Sequence, residues 1–221
     1  MRRTTLWSVT EAVAASRGYV ESFLAEDPAL VAARGRAAEF GCPSIGPAGG
    51  ATLRFLAAAL RARAVVEVGT GTGVSGLYLL HGMLPDGVLT TVDAEPEHSR
   101  AARQTFAEAG VPGYRTRLIN GTALEVLPRL TDGAYDLVFC AAVRRNHADY
   151  LGEALRLLRP GGVVCFDNAL WRDRVADPSA RDPDTVAVRD LGRTVRDRDD
   201  LVPALLPVGD GLLAAVYRPL R

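Results

Sequence analysis

Apolar, β-branched runs alternate with amphipathic stretches along most of this chain, which is the pattern of an α/β protein. The apolar runs predict strands over Ala64–Val68, Val88–Val92, Arg117–Ile119, Tyr135–Cys140, Val163–Phe166, Leu201–Leu206 and Leu212–Tyr217. The helical spacing predicts helices over Thr52–Leu60, Val74–Met83, Glu97–Ala109, Gly121–Leu130, Ala148–Leu158 and Thr185–Arg198, the last with Val186, Val188 and Leu191 inward. Strands and helices that alternate in this way are typical of a doubly wound sheet.

The last two apolar runs flank the turn Val208–Gly211, and this arrangement predicts an antiparallel hairpin. Pro203 lies inside the first of these runs and lacks a backbone N–H, so we expect that strand at an edge of the sheet. A plain dinucleotide-binding domain does not require such a hairpin.

The leader from Thr5 to Phe40 carries apolar residues at helical spacing, and Pro28 is placed to begin a second helix. We therefore expect one domain over residues 1–221, with residues 1–42 as a helical N-terminal arm. Such an arm can cap a ligand site, pair with another subunit, or simply pack on the domain.

The stretch Ala64–Gly73 carries the clearest chemical signal, because a buried-strand pattern breaks there into Gly69, Gly71 and Gly73. Glycines permit a tight turn and a close ligand, and the first turn of the next helix offers free N–H groups. Asp93 ends the next strand about 20 residues later, where doubly wound folds place a carboxylate on ribose hydroxyls. The alternative is that Asp93 only introduces the helix before Pro96.

Two features distinguish between the ligands that such a turn can hold. Gly71–Gly76 matches the dinucleotide pattern G-x-G-x-x-G, which alone is weak evidence. Glu67, at the end of the strand, would repel a pyrophosphate and attract a cationic amino-acid group, and a second glycine unit for the other half of a dinucleotide is missing. S-adenosylmethionine is therefore favoured over NAD(P), and an NAD(P)-dependent oxidoreductase is the less favoured reading.

The composition excludes several other classes of function. The 26 basic and 26 acidic residues balance, so the chain has no electrostatic footprint for nucleic acid. No apolar run approaches the roughly 20 residues that a membrane-spanning helix needs. The three cysteines lack metal-ligand spacing and suggest reduced thiols in a cytoplasmic protein. The chain contains arginine but no lysine, so no lysine can serve as a base.

Five motifs together resemble the cation-dependent O-methyltransferase family, the small relatives of catechol and caffeoyl-CoA O-methyltransferases. They are Val65–Gly73, Thr91–Asp93, Tyr135–Phe139, Leu157–Gly162 and Asp167–Trp171, and the likeness extends from about Pro43 to Leu213. The resemblance implies the class I methyltransferase fold, a Rossmann-like, seven-stranded, mostly parallel sheet with helices on both faces and an antiparallel last strand. It also implies a small-molecule substrate and a homodimer.

The same resemblance implies a set of cofactor contacts on this chain. The corresponding positions are Ile45, Glu67, Gly69, Thr70, Gly71, Gly73, Ser75, Asp93, Ala94, Gly121, Thr122 and Ala141. Glu67, Gly69, Thr70 and Ser75 are expected at the methionine end of S-adenosylmethionine. Asp93 is expected on the ribose and Ala94 against the adenine.

The chain departs from the family after Phe139, where the family continues Ile-Asp-Ala-Asp-Lys. The first aspartate there binds a divalent cation, and the lysine is the expected base. Here Ala141 occupies the metal-ligand position, Val143 the second acid and Arg144 the lysine. Asp167 and Asn168 alone remain of the usual metal set, so Mg²⁺ or another divalent cation is either held weakly by these two or absent.

Without a metal, the acceptor hydroxyl needs another base or must itself be acidic. The candidate catalytic residues are His147, whose pKa suits a base, Arg144, which could stabilise an anionic acceptor, and Asp167. The favoured hypothesis is an S-adenosylmethionine-dependent O-methyltransferase for a small phenolic or acidic hydroxyl acceptor, with metal dependence weakened or lost. The alternative is a catalytically silent S-adenosylmethionine-binding protein with a regulatory or scaffold role.

Overall fold

The computed structural model describes residues 8–142 and 144–219. For Arg144 it describes the backbone but not the side chain. In this part of the chain, strands β1 to β7 span Ala64–Val68, Val88–Asp93, Thr116–Asn120, Tyr135–Cys140, Leu158–Phe166, Leu201–Leu206 and Leu212–Tyr217. Helices α1 to α8 span Val9–Glu21, Pro28–Glu39, Pro47–Ala59, Val74–Gly82, Pro96–Glu108, Ala123–Val126, His147–Leu157 and Pro183–Arg196. Short 3₁₀ turns lie at Gly113–Arg115, Leu127–Arg129 and Arg144–Asn146.

The strands form one sheet of order β3-β2-β1-β4-β5-β7-β6. Strands β1 to β5 pair in parallel, whereas β7 is antiparallel to both of its neighbours. The sequence predictions of a mostly parallel sheet, a terminal hairpin and an edge position for Pro203 are all confirmed. The chain moves outward from β1 to β3 and then restarts at β4 on the other side of β1. This reversal opens a crevice at the carboxyl ends of β1 and β4.

Helices cover both faces of the sheet, because alternate side chains of the buried strands face opposite layers. On one face, Val65 and Leu137 pack with helices α2 to α5. On the other face, Val66 and Val138 pack with α6, α7 and α8. Each face therefore has its own apolar core, and both cores meet the ends of the strands that frame the crevice.

Two element boundaries differ from the sequence prediction. Helix α3 begins at Pro47, five residues before the predicted Thr52, because proline suits the first helical position and Gly50 is compatible with close packing. A Cβ on Gly50 would lie 2.3 Å from the ring of Tyr78 on α4. Strand β5 begins at Leu158, five residues before the predicted Val163, and includes Pro160–Gly162 next to a register shift opposite Tyr135 and Leu137.

Two predicted helices also differ in detail. Helix α6 ends after Val126 and a 3₁₀ turn follows, because Pro128 has no N–H to continue the helix, and Thr122 precedes α6 without a side-chain capping bond. Helix α8 buries Thr185, Val188, Leu191 and Val195, while Val186 is exposed rather than inward.

The two halves of the N-terminal arm differ in their packing. Helix α2 buries Leu30, Ala33 and Ala37 against the domain, whereas α1, every residue of which is described, buries none. Among the described residues, no helix combines the length and the apolar character that crossing a membrane would require.

Candidate active site

A cleft of about 690 Å³ runs along the carboxyl ends of the central strands. The glycine turn after β1 and the end of β2 form one end of it, and the loop before α3 lies along its side. The ends of β4 and β5 and the turn between β6 and β7 form the other end. Of the positions expected to contact the cofactor, those that line this cleft are Ile45, Gly69, Thr70, Gly71, Ser75, Asp93, Ala94, Gly121, Thr122 and Ala141.

The glycine turn adopts backbone angles that other residues rarely take. Gly69, Gly71 and Gly73 have φ values of +99°, +50° and +88°. A Cβ on Gly69 would also lie 3.2 Å from the backbone nitrogen of Ala142, so a side chain would press against the loop after β4. The turn can therefore be this tight only with glycine, and it brings the backbone to the floor of the cleft. Gly73 belongs to the turn but not to the cleft lining.

Asp93 connects the end of β2 to the glycine turn. One carboxylate oxygen accepts the Gly71 N–H at 2.9 Å, and the other accepts the Glu95 N–H at 3.0 Å and lies 3.1 Å from His98 Nδ1. The carboxylate also lines the cleft, as the ribose prediction requires. Two backbone N–H groups and the adjacent His98 ring thus orient a carboxylate that borders the cleft.

Glu67 is placed differently from the sequence prediction, which expected it to face the amino-acid end of the ligand. Its side chain is fully buried, and it does not line the cleft. Its oxygens accept the hydroxyls of Ser75 and Thr91, both at 2.6 Å. Burial raises the pKa of this carboxyl to about 7, against the lowering effect of these two hydrogen bonds. Glu67 therefore acts on the cleft through Ser75, whose hydroxyl it orients, and not by direct contact.

The acceptor end of the cleft lies where β4 and β5 terminate. Asp167 and Asn168 line it from β5, Ala141 lines it from β4, and the Asn168 N–H donates to Asp167 Oδ1 at 2.9 Å. The expected roles of Val143 and the Arg144 side chain lie outside the described residues. His147 is buried, with its ring centroid 5.3 Å from that of Phe166, and it is not part of the cleft lining.

Sequence reasoning missed two polar groups at this end. Tyr150 is buried on α7 and Asn146 precedes that helix, and both line the cleft. The amide of Asn146 donates to the Tyr150 hydroxyl at 3.4 Å, and burial raises the pKa of Tyr150. Their spacing of four residues at a helix start was the available signal, but a tyrosine on an amphipathic helix resembles a core residue.

The cation site that the family resemblance implies is only partly present among the described residues. Mg²⁺ takes about six oxygen ligands in near-octahedral geometry. Asp167 and Asn168 offer side-chain oxygens on the β5 side, whereas the side chain of Ala141 on the β4 side has none. Across residues 8–142 and 144–219, no three His, Cys, Asp or Glu side chains are grouped so as to hold a metal ion.

Comparisons with known proteins agree with this fold. The O-methyltransferase family model matches residues 30–217. A Mycobacterium tuberculosis protein named as an O-methyltransferase is 52% identical over 198 residues, which cover 90% of this chain and 88% of that protein. The solved structure of a Corynebacterium glutamicum protein is 34% identical, with a TM-score of 0.87, and covers 95% of this chain and 99% of that one.

A second solved structure carries a ligand. The O-methyltransferase TomG from Streptomyces achromogenes, described as involved in tomaymycin synthesis and in complex with S-adenosylmethionine, is 30% identical with a TM-score of 0.83. The alignment covers 99% of this chain and 100% of TomG. The fold is that of a class I, Rossmann-like methyltransferase, and the chain belongs to the O-methyltransferase family. The prediction of a methyltransferase enzyme is confirmed.

Proposed function

We propose that this protein transfers a methyl group from S-adenosylmethionine to a hydroxyl of a small phenolic or acidic acceptor, without a divalent cation. The main support for this proposal is the cleft, in which Asp93 faces the glycine turn at one end and Asp167 lies at the other. The complex described for TomG supports the choice of methyl donor.

The cofactor end of the cleft has the groups that S-adenosylmethionine needs. The ribose hydroxyls would donate to Asp93, and Ala94 with Gly121 and Thr122 would border the adenine. Gly69, Thr70 and Ser75 would meet the methionine end, and the left-handed Gly69 leaves backbone room for it. Glu67, which accepts the Ser75 hydroxyl from beneath, would orient that hydroxyl toward the methionine end without touching the ligand.

In the reaction, S-adenosylmethionine supplies a methyl group on a sulfonium, whose sulfur leaves as a neutral thioether. The chain's own task is to hold the acceptor oxygen in line and exclude water, and such positioning is worth roughly 7–11 kcal/mol. Asn146 and Tyr150 are placed to hydrogen-bond the acceptor. The carboxylate of Asp167, which lines the cleft, is placed to take the hydroxyl proton. Burial away from the cleft makes His147 the weaker candidate for this base.

The metal-free part of the proposal is tested by methyl transfer over a panel of phenols, measured by mass spectrometry with EDTA or with Mg²⁺. We expect turnover in the two buffers to agree within about twofold, because Ala141 supplies no metal ligand. The matched variant is Ala141→Asp, which should bind Mg²⁺ measurably in calorimetry. Loss of turnover in EDTA would contradict metal independence, and absence of turnover in both buffers would contradict the methyl-transfer proposal itself.

We also propose a homodimer that joins through the outer face of α1 and α3. Tyr19, Phe23 and Phe55 are exposed there, and α1 buries none of its residues within the chain. Contiguous apolar surface of this kind marks protein interfaces.

A further inference from the structure

Glu21, the last residue of α1, links three separate segments of the chain. One carboxylate oxygen accepts the N–H of Ala48 at 3.1 Å, and the other accepts the N–H of Gly209 at 3.1 Å. Ala48 lies in the first turn of α3, and Gly209 lies in the turn between β6 and β7. These contacts fasten the end of the arm to two parts of the domain.

The position of Glu21 has a clear physical reason. The residue before α3 is Gly46, which has no side chain to accept the free N–H groups of the first helical turn. Glu21 supplies that acceptor from another element, and its charge is favourable at a helix N-terminus. A Cβ on Gly46 would lie 3.0 Å from the Glu21 carboxylate, so the glycine leaves the space that this contact occupies.

Glu21 also separates two cavities. On one side it lines the cleft, next to Ile45, Gly46 and Gly209. On the other side it lines an apolar groove of about 310 Å³, whose walls include Tyr19, Phe23, Phe55 and Val208. The lining of the groove continues that of the cleft along the chain, since Pro47 follows Gly46 and Val208 precedes Gly209. The Glu21 side chain is therefore a partition between the cleft and the groove.

The partition lies at the acceptor end of the cleft. Asp93, the ribose group, is at the end of β2, while Gly209 and Asp210 adjoin β7, on the far side of β4 and β5 in the sheet. A ligand that occupies the cleft from Asp93 toward Asp167 would therefore reach Glu21 with its methyl acceptor and not with its adenosine.

We propose that Glu21 is the residue that determines acceptor size: it positions the walls of the acceptor end and closes that end against the apolar groove. This inference rests on the proposed methyl transfer and specifies its substrates. The wild-type enzyme selects compact acceptors of about one ring. Removal of the carboxylate opens the cleft into the groove, whose outer side the partner subunit would cover in the proposed homodimer, and admits acceptors with an apolar extension.

The test uses the full-length variants Glu21→Ala and Glu21→Gln, with Glu39→Ala as a control at the exposed end of α2 in the same arm. Binding of catechol and of 4-phenylcatechol is measured by calorimetry with the protein saturated in S-adenosylhomocysteine, so turnover is not needed. Where turnover occurs, kcat and KM are measured for both phenols.

The expected result is a rise of about tenfold in the preference of Glu21→Ala for 4-phenylcatechol over catechol, expressed in affinity and in KM. Glu21→Gln, which keeps the bulk of the side chain and one acceptor oxygen, and Glu39→Ala should keep the wild-type preference within about twofold. Hydrogen exchange should increase in Glu21→Ala at residues 46–50 and 207–211, because two N–H acceptors are lost.

The proposal would be overturned if Glu21→Ala kept the wild-type preference, if it bound no 4-phenylcatechol, or if its affinity for S-adenosylhomocysteine fell by the same factor as for the phenols. Failure of the wild-type protein to bind S-adenosylhomocysteine would count instead against the proposed function, so the two failures are distinguishable.

Discussion

Glu67 shows how a buried carboxylate can serve a ligand site that it does not touch. It lies on β1 in the layer that faces α4, with no exposed surface and with hydrogen bonds from Ser75 and Thr91. Both hydroxyls donate their hydrogens to the carboxylate, so the lone pairs of the hydroxyl oxygens point away from Glu67. The Ser75 hydroxyl oxygen can therefore accept a hydrogen bond in the cleft. Under the proposed function, Glu67 positions the Ser75 hydroxyl.

The raised pKa of Glu67 predicts a pH dependence of stability. Its folded-state pKa of about 7 exceeds the ordinary value of 4.5, so the folded state holds the proton more tightly than the unfolded state does. The contribution of Glu67 to the free energy of unfolding is therefore fully present below pH 4.5 and is lost as the pH rises through about 7. The loss amounts to up to about 3 kcal/mol.

The measurement is urea denaturation of the cofactor-free protein from pH 4.5 to pH 8, compared with Glu67→Gln. The variant cannot titrate, so the difference in unfolding free energy between wild type and variant should move in favour of the variant as the pH rises. An equal pH slope in both proteins would show that Glu67 does not titrate in this range.

At the residue scale, the sequence placed both Asp93 and Glu67 at the cleft, and the structure places Asp93 there but buries Glu67 behind Ser75. Asp93 follows a strand at a spacing tied to the glycine turn, so its location was predictable. Glu67 lies in a strand buried on both faces, where alternation does not reveal which layer a side chain enters. Tyr150 was missed for a similar reason, because an aromatic residue on an amphipathic helix is equally suited to a core and to a cleft.

At the element scale, helix ends show where this fold is strained. Helix α3 ends in a Schellman arrangement, in which the Ala62 N–H bonds to Ala57 and the Arg61 N–H bonds to Ala58. Arg61 takes the left-handed position with φ of +50°. Helix α5 ends with the same bonding, but there Gly110 takes the left-handed position with φ of +69°.

This comparison predicts that Arg61→Gly raises the unfolding free energy by about 1 kcal/mol, because glycine adopts the left-handed conformation without the Cβ penalty. The matched variant Gly110→Ala should lower it by a similar amount, since a Cβ there meets nothing within 4 Å and only the backbone conformation is at stake. Thermal and urea unfolding measure both. Destabilisation by Arg61→Gly would contradict the assignment of strain to this residue.

Element types were largely predictable and element boundaries less so. Helix α3 starts early because Gly49 and Gly50, which read as loop residues in isolation, are compatible with close packing on Ile45 and Tyr78. Strand β5 extends through Pro160–Gly162 because a register shift accommodates them. Both outcomes depend on neighbours distant in sequence, so local propensity could not anticipate them.

At the scale of the whole molecule, long-range contacts join the N-terminal arm to the domain. The contacts that join it to the domain include Glu21 to Ala48 and Glu21 to Gly209, which are 27 and 188 residues apart in sequence. Contacts of that range leave no periodic signal, so the sequence predicted a helical arm but not the partition that it forms.

The exposed apolar face of α1 and α3 predicts the assembly state. We expect sedimentation at about twice the 23.5 kDa of one chain, and Phe55→Glu should sediment as a single chain because it places a charge in the apolar face. Tyr114→Glu is the control, since Tyr114 is a similarly exposed aromatic residue in the turn before β3. A wild-type monomer, or a dimer unaffected by Phe55→Glu, would contradict this interface.

The central claim is that the cleft between the glycine turn and Asp93 holds the methyl donor. The most direct measurement is calorimetric titration of S-adenosylhomocysteine into wild type, Asp93→Ala and the exposed control Glu97→Ala. We predict that wild type and Glu97→Ala bind equally and that Asp93→Ala binds about 10- to 100-fold more weakly, because charged hydrogen bonds to the ribose are lost. Equal affinity in Asp93→Ala, or wild-type binding of NAD in place of S-adenosylhomocysteine, would contradict the account.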